Sequence, residues 1–177
     1  MAWARHFVEL DKALHDRASF DCGEPELNLF LRQFAAKHMQ ARVSRTMVLP
    51  ALEPLPNQKL PVCAFYAIAP GAIRRDTLPA ALAKKLPHYP VPVFLLAQLA
   101  VHKAFHGQGL GKVSLIKALE YLWQINAHMP AYAVLVDCLN PEAQRFYAKY
   151  GFELLCEVEG RTRMFLPMKT LAQLFSR

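Results

Sequence analysis

The hexapeptide His106-Gly107-Gln108-Gly109-Leu110-Gly111 separates two segments of different periodicity. Upstream, Val91 to Val101 is apolar and rich in β-formers, apart from Gln98. Downstream, Leu110 to Ile125 is apolar at helical spacing, with Leu115, Ala118, Leu119 and Leu122 as its core stripe. The pattern predicts a buried strand turning through a glycine loop into a long helix. Such a turn aims unpaired backbone N–H groups and the positive end of a helix dipole at one point, a cradle for phosphate. Glycine suits it because a β-carbon would block close approach and because some positions there favour positive φ.

The ligand class stays open on this feature alone. A dinucleotide fold requires G-x-G-x-x-G early in its domain, with an acidic residue about 20 positions on. Here the spacing is G-x-G-x-G, more than halfway along the chain. A P-loop requires G-x-x-x-x-G-K-[ST], and Gly111-Lys112-Val113 breaks both the spacing and the last position. A pyrophosphate site of another kind and a tight strand–helix turn without ligand are the other two readings.

A chain of 177 residues, 54% hydrophobic and 20% charged, is read as one folded domain, residues 1–177, with a substantial core. No apolar run reaches membrane-spanning length and Met1 to Asp16 lacks a signal-peptide core, so a cytoplasmic protein is expected. Cys22, Cys63, Cys138 and Cys156 are widely spaced with no C-x-x-C pair, which predicts reduced thiols and no metal site. The net charge of +7 is uneven: residues 27–90 carry nine basic and two acidic side chains, a net of +7, whereas residues 1–26 carry a net of −3. Such clustering suggests a polyanionic partner such as nucleic acid, with a merely solvated basic surface as the alternative.

Phe7 to Leu10 reads as a first strand, followed by an acidic loop with a short helix. Ser19 to Pro25 is a turn ahead of a helix in which Leu27, Phe30, Leu31, Phe34, Ala35 and His38 form one apolar face and Arg32 and Lys37 the other. Thr46 to Leu49 and Val62 to Ile68 are strands that can pair as a hairpin across a proline-rich connection. Arg74 to Tyr89 reads as a mobile basic segment with a short helix at Ala80 to Leu86. Tyr132 to Cys138 is a second near-continuous apolar strand. Asn140 is the expected N-cap, and Pro141 the first position, of a helix carrying Phe146, Tyr147 and Tyr150 and stopping at Gly151. Phe152 to Val158 and Thr162 to Met168 form a hairpin turning at Glu159-Gly160. These elements make a mixed α/β sheet protein with a central parallel pair.

Strand, glycine loop, helix, strand, Asn140 and then Phe146-Tyr147, in that order, resemble the GNAT superfamily of acetyl-CoA-dependent N-acetyltransferases. The resemblance covers most of the chain, Val91 to Phe152 most specifically. It implies the GNAT fold: a mixed central β-sheet flanked by helices, with acetyl-CoA bound at splayed central strands. The family's [Q/R]-x-x-G-x-G/A loop falls on His106 to Gly111, with His106 in place of Gln or Arg, and implies that this loop holds the coenzyme A pyrophosphate. Phe20-x-Cys22-Gly23, Leu27-Asn28-x-Phe30-Leu31, and the run from Pro90 through Val93 to Leu99-Ala100-Val101 resemble GNAT toxins of toxin–antitoxin modules. Asn28 stands where these often carry Asp, and Gln98 where they often carry Arg. Members of that group acetylate the α-amino group of an amino acid already charged on tRNA. The resemblance thus implies aminoacyl-tRNA as substrate, a small antitoxin partner and a homodimer.

The same resemblance implies coenzyme A contacts from Leu99, Val101, His106, Gly107, Gln108, Gly109, Gly111, Lys112 and Asn140, the backbone of Leu99 and Val101 aligning the pantetheine and polarising the thioester. Acetyl transfer also needs a proton for the leaving thiolate. Tyr147 is the candidate general acid: a phenol with an ordinary pKa of about 10 suits the task. It follows Asn140 by seven residues, close to two helical turns. Its alternative role is core packing with Phe146 and Tyr150. No carboxylate lies in Val91 to Val101 to act as base, and Asp137 reads as buried or facing away. An aminoacyl ester amine is already substantially neutral near pH 7, so a dedicated base is unnecessary; His102 and His106 read as structural. Arg74, Arg75, Lys84 and Lys85 are candidates for holding the tRNA acceptor stem by its phosphates. Acetylation of a protein or small-molecule amine, and a non-catalytic acyl-CoA-binding module, are the competing functions.

Overall fold

A computed structural model describes residues 2–176. The strands hydrogen-bond in the order β1-β3-β4-β5-β6-β8-β7, with the short β2 on β4: β1 (Val8–Glu9), β2 (His15–Asp16), β3 (Arg45–Pro50), β4 (Leu60–Ile73), β5 (Val91–Val101), β6 (Ala133–Cys138), β7 (Glu153–Val158) and β8 (Arg161–Pro167). Helices α1 (Pro25–Leu29), α2 (Ala35–Gln40), α3 (Ala80–Ala83), α4 (Leu110–Asn126), α5 (Pro141–Lys149) and α6 (Met168–Phe175) alternate with them. The result is the expected mixed α/β architecture. Two compact units divide the chain: Met1–Ala69 with Gln98–Ala118, and Pro70–Ala97 with Leu119–Arg177.

In the first unit β1 and β4 both pair antiparallel with β3, and the hairpin register closes through a bulge at Leu49/Pro50. Pro50, the last residue of β3, is tolerated there because the bulge and the strand end remove the need for its missing N–H. The acidic N-terminal stretch forms no helix. His15 and Asp16 instead pair parallel with Leu60 and Pro61 and are buried. Their polar atoms are met locally: His15 Nδ1 accepts from the Asp11 amide, and the Asp16 carboxylate accepts from Ser19 N and Asn57 Nδ2. These distant partners are what a local pattern cannot show.

The amphipathic helix is present, but it is not α-helical throughout. Phe30–Phe34 forms a π turn between α1 and α2, closed by the Ala35 amide on the Phe30 carbonyl. The extra residue per turn shifts the apolar stripe. Leu31 and Ala35 are fully buried, whereas Phe34, expected on that face, is 40% exposed. The buried face packs against Phe20, Val48, Phe65 and Ala67, with Phe30 stacked on Phe65 at 6.2 Å between ring centroids.

In the second unit β5 and β6 are the parallel pair, β8 lies antiparallel to β6, and β7 folds back on β8. The parallel register covers only Val93–Leu95 against Ala133–Leu135, after which β5 runs on to Val101. This is the early parting of central strands that the fold class implies. Helix α4, whose residues belong to the first unit up to Ala118 and to the second from Leu119, buries Leu115, Ala118, Leu119 and Leu122, as its spacing predicts. The β7–β8 turn uses Glu159 at φ 49° and Gly160 at φ 78°. Helix α6 had no counterpart in the sequence reading. Leu171, completely buried, anchors it. Cys22, Cys63 and Cys138 are buried, Cys156 is half-buried, and all four are free thiols. Among the described residues, no helix is long and apolar enough to cross a membrane.

Candidate active site

Strand β5 ends at Val101 and passes through a single 3-10 turn, Lys103–Phe105, into the glycine loop. Phe105 and Leu110, on either side of that loop, are both buried with Leu49, Ala51, Cys63 and Ala64. The loop is therefore pinned by an apolar residue before it and another after it. Gly107 and Gly109 sit at φ 77° and 78°, where L side chains pay strain, and a Cβ built at either meets nothing within 4 Å. The α4 ladder starts with the Val113 amide on the Gly109 carbonyl at 3.2 Å, which places the amides of Leu110, Gly111 and Lys112 ahead of it. Open space beside two left-handed glycines, at the start of a 17-residue helix, has the features a pyrophosphate needs.

Side chains fix the approach to this loop. Nε2 of His106 donates to the Val101 carbonyl at 2.7 Å, tying the loop back to the strand end. His102 Nδ1 accepts from the Ala104 amide at 3.0 Å, so Nε2 carries its proton and faces the Ser19 carbonyl at 3.3 Å. Both histidines are thus committed to backbone partners. Lys103 pairs with Asp21 at 2.9 Å. The Asp21 carboxyl is held far below the usual carboxylate range, first by Lys103 and then by the Gly23 amide and the Asn28 side chain. Asn28 is buried, and its Oδ1 accepts from the Cys22 amide at 2.9 Å. This polar cluster explains the Phe20-Asp21-Cys22-Gly23 and Leu27-Asn28 motif: it locks the turn that Lys103 leans on. Leu99 and Val101 are half-buried on β5; Gln108 and Lys112 are exposed. Leu99, Val101 and residues 106–112 all belong to the first compact unit.

The second unit carries the remaining candidates. Asn140 caps α5, its Oδ1 accepting from the Ala143 amide at 2.8 Å, with Pro141 in the first turn. Tyr147 is only 8% exposed and packs edge-on against Phe146 and Phe152. Burial, with a smaller contribution from Cys138, pushes its phenol well above the usual tyrosine range. The ring is therefore protonated at any physiological pH. Asp137 points its carboxylate at its cross-strand neighbour Arg163, in a two-pronged pair at 2.7 and 3.0 Å. Both carboxylate oxygens are thus taken up by the guanidinium.

The basic segment is more ordered than its composition suggests. Leu78, buried, and Leu82, Ala83 and Leu86 pack with Ile73, Val91 and Val93. Its helix, α3, is shorter than expected, since Lys84 to Leu86 continue only as turns. Arg74 is exposed and bound to Asp76 at 2.5 Å. Arg75 donates Nε to the Ala83 carbonyl at 2.6 Å and sets Nη1 3.0 Å from His88 Nδ1. Lys84 and Lys85 are exposed. Two of the four cations thus brace the segment, a division invisible in a charge count.

Residues 71–154 match the acetyltransferase (GNAT) domain family. The tRNA-acetylating toxin of Mycobacterium tuberculosis (strain ATCC 25618 / H37Rv) is 36% identical over 140 residues, which span 78% of this chain and 79% of that protein.

The chain belongs to the GNAT acetyltransferase family.

Two solved structures of the toxin AtaT superpose over nearly their whole length. AtaT complexed with acetyl-methionyl-tRNAfMet has a TM-score of 0.83 at 28% identity, covering 96% of this chain and 98% of that one. A mutant AtaT bound to the C-terminus of the antitoxin AtaR and acetyl-CoA has a TM-score of 0.80 at 25% identity, covering 97% and 98%. The protein is an acetyl-CoA-dependent N-acetyltransferase with the GNAT fold.

Proposed function

We propose that this GNAT acetyltransferase is a toxin that transfers the acetyl group of acetyl-CoA to the α-amino group of aminoacyl-tRNA, and so removes charged tRNA from translation. The observation that carries the reading is the 36% identity to a tRNA-acetylating toxin over 78% of the chain. A basic segment, Arg74 to Tyr89, on a fold with an open phosphate cradle supports it. We place it in the cytoplasm, as a homodimer, with a small antitoxin as partner.

Bound acetyl-CoA supplies an activated thioester. The amides of Gly107 to Lys112 hold its pyrophosphate, the rest of the set Leu99, Val101, His106 and Asn140 serves alignment, and the β5 backbone orients the carbonyl. The neutral α-amine forms the new C–N bond as the C–S bond breaks. Tyr147 gives its phenolic proton to the departing sulfur, and the proton released by the amine nitrogen restores the phenol. Burial keeps the phenol protonated in the resting enzyme, so the proton is there to give. Lys84 and Lys85 hold acceptor-end phosphates, and Arg74 and Arg75 shape the segment that presents them.

Mass spectrometry of acceptor amines after incubation with acetyl-CoA tests the reading. Charged tRNA, polyamines and lysine peptides are offered in parallel. N-acetyl aminoacyl-tRNA is the expected product; transfer to polyamines or peptides with none to any charged tRNA would reject the toxin assignment in favour of a protein or small-molecule acetyltransferase.

A further inference from the structure

Tyr89 is the one large aromatic residue in the basic segment, and no role above uses it. Tyr89 is 74% exposed, the highest value among the large hydrophobic residues described. It lies between Pro87 and Pro90, which limit the backbone on both sides. Arg75 brings two parts of this segment together: one guanidinium holds the Ala83 carbonyl and the His88 ring. The residues that directly follow these two anchored positions are Lys84 and Tyr89. Beneath them Leu78, Leu82 and Leu86 pack into the core. A braced backbone thus carries an aromatic face and two ammonium groups, at Lys84 and Lys85, out into water. Residues 27–90 contain only two carboxylates, Glu53 and Asp76, and Asp76 is already bound to Arg74.

Scattered exposed apolar residues need no explanation. An aromatic face beside paired cations on a fixed scaffold has a specific one. Unpaired nucleotides offer base faces for stacking and phosphates for cations, whereas the bases of a duplex are already stacked. A protein partner would not require that combination.

We propose that Tyr89 is a substrate-binding residue that stacks on a base of the single-stranded 3′ end of the charged tRNA, with Lys84 and Lys85 on the neighbouring phosphates. This rests on aminoacyl-tRNA being the acceptor. The test compares steady-state acetylation of charged tRNA by wild type, Tyr89→Ala, Tyr89→Phe and a Lys84→Gln/Lys85→Gln double variant, at several salt concentrations. An aminoacyl ester of a simple alcohol serves as the acceptor lacking nucleotides. Tyr89→Ala should raise KM for charged tRNA about ten-fold with little change in kcat, while Tyr89→Phe restores the wild-type value. The simple ester and acetyl-CoA should keep their KM in every variant. The lysine pair should flatten the salt dependence, its log–log slope falling by about 1.4 for two single-strand phosphate contacts, whereas Tyr89→Ala leaves that slope unchanged. An unaltered KM in Tyr89→Ala, or Tyr89→Phe as weak as Ala, overturns the assignment. If the wild type acetylates no charged tRNA, the toxin reading itself fails, and a wild type active on charged tRNA separates the two failures.

Discussion

Gly109 and Gly160 form a natural experiment on what the glycine loop is for. Both have φ 78°, both are exposed, and a Cβ at either meets nothing within 4 Å. An alanine at either position therefore incurs the same backbone cost, about 1 kcal/mol for a left-handed L-residue, with no steric clash added. For a chain of 177 residues that should lower the melting temperature by about 2–4 °C in both variants. The two should then diverge on coenzyme A. At Gly160 the methyl group projects from the β7–β8 turn; at Gly109 it enters the space beside the first amides of α4. Losing one or two charge-assisted amide–phosphate bonds there should weaken coenzyme A binding by about a hundred-fold. Calorimetric titration with coenzyme A, paired with thermal melts, gives both quantities on the same samples. If Gly109→Ala melts like Gly160→Ala and still binds coenzyme A as the wild type does, the open cradle is not the pyrophosphate site. Equal loss of binding in both variants would refute the reasoning differently, by showing that the strain is not local.

Tyr147→Phe should reduce kcat by about a hundred-fold without altering coenzyme A affinity, and an unchanged rate would remove the general-acid role. The raised phenol pKa also has a sign for stability: below about pH 10 folded and unfolded tyrosine are both protonated, and above it only the unfolded form ionises, so stability falls as pH rises toward the folded value. The alkaline decline in melting temperature should be shallower in Tyr147→Phe; an identical decline would mean that the ring is not shielded. Asp137→Asn should cost about 1 kcal/mol in urea unfolding by breaking the two-pronged Arg163 pair, yet leave acetyl transfer intact. A folded variant with collapsed activity would instead make Asp137 the base.

Local chemistry is legible in the sequence. The glycine loop, the Asn140-Pro141 cap and the Glu159-Gly160 hairpin each depend on a few adjacent residues whose backbone preferences admit one solution, and all three appear where expected. The short strand at His15–Asp16 was missed because its partners, Leu60 and Pro61, lie far along the chain and its polar side chains mimic a loop. The π turn was missed because one widened turn leaves the apolar count intact while rotating Phe34 outward. Helix α6 is only eight residues long and follows directly on β8, and the burial of Met168 and Leu171 that holds it is set by the tertiary fold. Counting charge identified the basic segment but could not divide it. Arg75 as a brace and Tyr89 as its exposed neighbour depend on bonds to Ala83 and His88.

Residue order by itself determined the phosphate-cradling turn, since a strand, three glycines and a helix in succession dictate where unpaired amides point, and it carried the motifs whose resemblance implied the family and its ligand. Only tertiary structure decided which side chains remain available for work. The partners of His102, His106, Asp137 and Arg75 are not written in the neighbouring letters, and folding engages each with one. The physical reason is range: backbone conformation is set by neighbours in sequence, whereas the occupancy of a polar atom is set by whatever the fold brings within hydrogen-bonding distance.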